Sequence, residues 1–117
     1  MQAELILDAR CGTGESPVWS AHEQALYWVD IPARRLHRID PASGTHRTWT
    51  ADEMLACIAP REGHPGQWIA GMESGVFAIA AQGDGTLAST PLAHVVHAQT
   101  GMRFNDGRCD RQGRFWA

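Results

Sequence analysis

The sequence predicts an all-β fold of the propeller kind, and three observations predict it. Apolar runs are short and recur about every 8–12 residues, bounded by Gly, Pro, Asp and Ser, which is the mark of short strands joined by turns. Convincing helical periodicity is scarce. The pattern also repeats. With ALYWVDIPARRLHRIDPASGT and GQWIAGMESGVFAIAAQGDGT compared at an offset of 40 residues, Trp28 falls on Trp68, Leu36 on Val76 and Ile39 on Ile79. Val18 and Ile58 each stand ten residues before their tryptophan. A period near 40 with several strands per unit fits blades that bury their faces only against neighbouring blades.

Taken in order, the expected strands are ELILDA (4–9), PVWS (17–20), ALYWVDI (25–31), RLHRID (35–40), HRTWTA (46–51), LACIAP (55–60), QWIAGME (67–73), GVFAIA (75–80), TLAST (86–90) and RFWA (114–117). A third unit begins at NDGRCDRQGRFWA, where the Gln112-Gly113 turn leads into Phe115 and Trp116. The five tryptophans, Trp19, Trp28, Trp49, Trp68 and Trp116, occupy strand positions and are expected in the core between blades. Cys57 and Cys109 are expected to pack as small apolar residues in corresponding strands. Propellers close with about 4–8 blades, and this sequence supplies roughly two and a half by the same count of repeats. Residues 1–117 are therefore expected to be a single partial domain, the N-terminal blades of a longer protein, with strand edges left unpaired.

Composition narrows the classes of function. The chain is 44% hydrophobic and 20% charged with a net charge of -3, an ordinary globular balance. All ten cations are arginine and they are scattered, so neither nucleic acid nor an anionic membrane is an expected partner. The N-terminus lacks the basic start and apolar core of an export signal, and no run has the length of a membrane span. Cys11, Cys57 and Cys109 are odd in number and form no C-x-x-C pair, which suggests reduced thiols and a cytoplasmic location.

Two stretches offer chemistry. In CGTGESPVW, Glu15 stands at the mouth of a strand. It is either a solvated turn residue or a carboxylate directed into a central channel, where its oxygens suit a hard cation. A phosphate cradle is disfavoured, because neither G-K-[ST] nor a helix follows. In RFNDG, the Asn-Asp-Gly run is a good turn sequence, with Gly107 expected to supply a positive φ. The alternative rests on the side chains together. Alternation places Arg103 and Asn105 on one side and Phe104 on the other, and two polar groups with fixed donors suit a polyhydroxy compound. His94 and His97 in HVVHAQ face opposite ways in extended chain and make a poor metal pair. His22, His37, His46 and His64 are expected at the surface or in turns. No G-x-S-x-G or comparable nucleophile motif occurs, so covalent catalysis is not indicated.

GESPVW, LYWVDIPARRLHRID and RFNDGRCDRQGRFWA, in this order and spacing, resemble the regucalcin/gluconolactonase family of sugar lactonases from about Gly14 to Ala117. The resemblance implies a six-bladed β-propeller that hydrolyses a sugar lactone, an aldonolactone opened to its aldonic acid, with one divalent metal ion (calcium, zinc, manganese or magnesium). It implies that Glu15 is a metal ligand, that Arg103 and Asn105 contact the substrate, and that Asp106 and Gly107 position that pair. It also implies that the remaining ligands and the catalytic base lie beyond residue 117. The alternatives are a non-catalytic calcium-binding regulator or an inactive remnant.

Overall fold

A computed structural model describes residues 1–117, and it contains strands and turns but no helix. The strands are β1 (Gly14–Ser20), β2 (Ala25–Asp30), β3 (Arg35–Ile39), β4 (His46–Thr50), β5 (Leu55–Pro60), β6 (Gln67–Met72), β7 (Gly75–Ala81), β8 (Leu87–His94), β9 (Arg108–Cys109) and β10 (Phe115–Trp116). They form two four-stranded antiparallel meanders, β1-β2-β3-β4 and β5-β6-β7-β8, and a two-stranded hairpin of β9 and β10.

The side-chain period of two decides how the meanders pack. In β2, Ala25, Tyr27 and Val29 are buried while Leu26 and Trp28 are half-exposed. In β6, Trp68, Ala70 and Met72 are buried. These two faces meet, and Leu36, Ile58, Ile79 and Leu87 complete a core sandwiched between the sheets. Tyr27 and Trp68 meet edge to face with ring centroids 5.2 Å apart, a pairing that contributes about 0.5–1.5 kcal/mol beyond burial alone. Each sheet thus hides one face against its neighbour, which is how consecutive propeller blades are held.

The 40-residue repeat survives in three dimensions by compensation. Ile39 pairs with Leu26, whereas Ile79 pairs with Trp68, so the second hairpin turns two residues sooner. The link from β6 to β7 is residues 73–74, against 31–34 between β2 and β3. The link from β5 to β6 is residues 61–66, against 21–24, and restores the difference. Trp28 and Trp68 consequently occupy different rungs. Only Trp68 lies in the core between sheets, with Trp49 at its margin. Trp28 is on the far face of its sheet, and Trp19 and Trp116 are exposed, so the expectation of five core tryptophans is corrected.

Other expectations change for equally local reasons. ELILDA forms no strand, because no neighbouring strand supplies ladder partners, and Leu5 and Ile6 are exposed. Cys57 is buried, but its counterpart Cys109 is exposed on a two-residue strand with β10 as its only ladder partner. His37 is buried rather than superficial, packed against Trp28 and beside His46.

Aspartates organise three of the turns. The Asp40 carboxylate accepts the N–H groups of Ala42 and Ser43, and Asp84 accepts N–H and O–H of Thr86. Asp110 accepts four bonds, from Gln112 N, Arg114 N, Arg114 Nε and Trp116 Nε1. Gly113 follows at φ 79°, where a side chain would be strained. The bond from Trp116 first, then that from the Arg114 amide, hold the Asp110 carboxyl below its ordinary value of 3.8. A lowered carboxyl stabilises the fold above its unfolded value and loses that contribution as pH falls through the folded one. The Trp116 indole N–H should therefore lose its protection only below pH 3.8, followed by NMR. Asp110→Asn should remove the acid step.

Candidate functional site

The first strands of the units gather side by side: β1 lies against β5, and β5 against β9. Ser16 fixes the first of these contacts. Its Oγ accepts Ile58 N–H at 3.0 Å and lies 3.5 Å from Ile58 O, wholly buried. To reach β5 the chain bulges between Glu15 and Val18, and Ser16 adopts a positive φ of 52°. The backbone distortion at the E-S-P motif is thus the device that joins two sheets at their inner strands.

The strand directions place the predicted site residues at one end. A groove of about 560 Å³ lies between the 21–24 and 61–66 loops and is lined by the last residues of both β1 and β5. These strands therefore run the same way, with their starts together. Met72 pairs with Leu55 at the start of β5, and Phe104 N–H approaches Met72 O at 3.4 Å. Glu15, at the start of β1, and the segment Arg103–Gly107 consequently share the end opposite the large groove. None of the predicted residues lines that groove.

Glu15 is exposed and has neither a hydrogen bond nor an ion pair. It borders a shallow cavity of about 300 Å³ whose walls include Ile6, Pro17, Leu26, Trp28 and Ile39. A free carboxylate beside an apolar wall is able to accept from a ligand without first losing a partner.

Residues 103–107 form neither strand nor turn, so the expected Asn-Asp-Gly turn is absent. Phe104 packs against the core and stands edge-on to His97, with centroids 6.0 Å apart. His97 Nε2 is itself 2.7 Å from the Glu73 carbonyl. Arg103 and Asn105 project together. One Arg103 nitrogen donates to Phe104 O at 2.9 Å and reaches Asn105 Oδ1 at 3.5 Å, leaving the rest of the guanidinium free. Asp106 accepts the Gly107 N–H at 2.8 Å.

Gly107 does not have the positive φ expected of it. Its constraint is space: a Cβ there would stand 2.8 Å from Cys57 Sγ and 2.9 Å from Phe115 Cζ and Trp116 O. Gly71 is confined by the same sulfur and by Phe104. The thiol of Cys57 is the hub on which β6 and the 104–107 segment close. Burial pushes that thiol above its ordinary value of 9.0, and the nearby Asp106 carboxylate pushes it further, in keeping with its role as a packing group.

Sequence reading missed a second cluster. Asp30 is buried and accepts the N–H groups of Gly12 and Thr13, both at 3.1 Å. Cys11 Sγ, an Asp30 oxygen and a His37 nitrogen all lie within 4.8 Å of one another. Only the β2–β3 register could have revealed it. Trp28 opposes His37 and Asp30 opposes Arg35, which makes Asp30 and His37 diagonal neighbours on one face. His94 and His97, by contrast, join no such group.

Known proteins resemble this chain in sequence and in fold. The chain is 46% identical over 104 residues to the 6-deoxy-6-sulfogluconolactonase of Pseudomonas putida, covering 89% of this chain and 34% of that one. It is 35% identical to the pentonolactonase XacC of Haloferax volcanii, covering 97% and 36%. The crystal structure of a calcium-binding protein, regucalcin, from Agrobacterium tumefaciens, a β-propeller, superposes with a TM-score of 0.77 at 24% identity, covering 91% and 34%. The chain thus spans about a third of the length of these relatives. Residues 13–117 match the SMP-30/Gluconolactonase/LRE-like region, and the protein belongs to that family.

Proposed function

We propose that this chain carries the substrate-gripping part of a sugar-lactone hydrolase, opening an aldonolactone to its aldonic acid. The carrying observation is the side-by-side projection of Arg103 and Asn105, with free donors, at the strand end that also bears the unpartnered Glu15. The names of the relatives, a sulfogluconolactonase and a pentonolactonase, support the same chemistry.

Arg103 supplies a permanent positive charge and several donors to the substrate's oxygens. Asn105 adds one donor and one acceptor, which suits a hydroxyl. Phe104, anchored in the core, limits the freedom of both neighbours and so orients the ring. Glu15 fits a divalent metal as one oxygen ligand of a larger set, since its carboxylate is exposed and unpaired. Such a metal, whether calcium, zinc, manganese or magnesium, would supply Lewis-acid polarisation of the lactone carbonyl. No side chain of residues 1–117 is assigned as the base. The three free cysteines fit work in a reducing, cytoplasmic setting, and no helix is long and apolar enough to cross a membrane.

The test joins residues 1–117 to the remaining blades of the sulfogluconolactonase relative. The purified chimera is assayed on gluconolactone, xylonolactone and 6-deoxy-6-sulfogluconolactone with each metal. Hydrolysis that a chelator stops is the expected result. A folded chimera inert toward all three lactones with all four metals would refute the proposal.

A further inference from the structure

We propose that Cys11, Asp30 and His37 form a binding site for one borderline-soft divalent cation of the zinc class, distinct from Glu15. The residues converge because three separate constraints meet on the far face of the first sheet. The β2–β3 register sets Asp30 and His37 diagonally. The amides of Gly12 and Thr13 clamp the Asp30 carboxylate, which draws the preceding Cys11 over the same face. Trp28 Nε1 donates to Cys11 Sγ at 3.4 Å and holds the sulfur there.

The spacing suits a shared ion. Cys11 Sγ is 4.0 Å from His37 Nε2, and the three ligand atoms lie within 4.8 Å of one another. Zinc bonds of about 2.3 Å to sulfur and about 2.0–2.2 Å to nitrogen and oxygen, at tetrahedral angles, separate such atoms by roughly 3.3–3.7 Å. Closure by at most about 1.5 Å, within reach of the half-exposed Cys11 loop, completes that geometry. Each Asp30 oxygen accepts one amide and retains a second lone pair for the ion.

His37 is held as a ligand should be. Its ring stacks on Trp28, with centroids 4.9 Å apart, and lies edge to edge with His46, with centroids 5.2 Å apart. Its Nδ1 is 3.0 Å from His46 Nε2, so the far nitrogen is engaged while Nε2 faces Cys11. A second hydrogen-bonded partner behind a ligating imidazole fixes ring orientation and tautomer. Thiolate, imidazole and carboxylate together favour zinc over calcium or magnesium, which take oxygen ligands. Thiolate and carboxylate also balance the dipositive charge, and water fills the fourth position on the open Cys11 side.

Cobalt(II) serves as the spectroscopic probe, titrated into the 117-residue chain carrying Cys109→Ser to remove the other exposed thiol. One equivalent is expected to raise a thiolate-to-cobalt absorption and the visible bands of a tetrahedral centre, both displaced by zinc and unaffected by excess calcium. Cys11→Ser, at a half-exposed position that leaves the core intact, should abolish the thiolate band without changing the circular dichroism. His46→Phe, which removes only the supporting hydrogen bond, should weaken binding about 10- to 100-fold. Absence of the thiolate band, its persistence in Cys11→Ser, or its loss in Glu15→Gln would each overturn the assignment.

Discussion

Gly75→Ala should lower the stability of this chain by about 3 kcal/mol, the upper end of what overpacking costs. A Cβ at Gly75 would stand 2.0 Å from the carbonyl oxygen of Ala93 and 3.1 Å from Ala93 C and His94 Cα. All three are backbone atoms of β8, so no side-chain rotation relieves the clash. The close approach follows from the early turn of the second hairpin. Residues 73–74 alone link β6 to β7, and Ser74 is pinned by three bonds from its N–H and O–H to the Glu53 carboxylate. Val95 N–H then bonds to Ser74 O at 2.9 Å, and His97 to Glu73 O. Strain at Gly75 therefore spreads to the support beneath Phe104 and its neighbours. Urea unfolding is the check: the midpoint should fall while the slope is unchanged. A midpoint equal to that of the parent chain would contradict the geometry.

Arg103→Ala in the chimera should lower kcat/KM for the lactone about 10- to 100-fold, the range of a charge-assisted hydrogen bond of roughly 1.5–3 kcal/mol. The side chain bonds only Phe104 O and Asn105 Oδ1, and it takes part in no ion pair. Thermal stability should therefore stay close to that of the parent. The division between activity and stability is the informative feature, because a merely structural arginine would move both. Unchanged kcat/KM would remove Arg103 from the site.

Much of this architecture is legible in the amino-acid order, and the exceptions have physical causes. The blade repeat is visible because a 40-residue spacing survives two opposite loop-length changes, at 61–66 and 73–74, which cancel. The same cancellation conceals that Trp28 and Trp68 stand on different rungs. Alternation identifies Arg103 and Asn105 as partners on one side, since Phe104 between them must seek the core. It cannot show that Gly107 is excluded from bearing a side chain by Cys57, 50 residues earlier in the sequence. ELILDA has strand composition, but composition provides no hydrogen-bonding neighbour. The Cys11–Asp30–His37 cluster has no short motif at all. Its members meet through a ladder register and a clamped loop, neither of which a linear pattern encodes.

Glu15→Gln most directly tests whether the exposed carboxylate at the start of β1 and the Arg103–Asn105 pair belong to one centre. Lactone hydrolysis by the chimera should be measured against metal concentration, with and without this change. If they share a centre, the activation curve moves to higher metal concentration while the Arg103-dependent KM for the lactone is retained. An activation curve identical to that of the parent would show that Glu15 holds no metal and that the two halves of the site are unrelated.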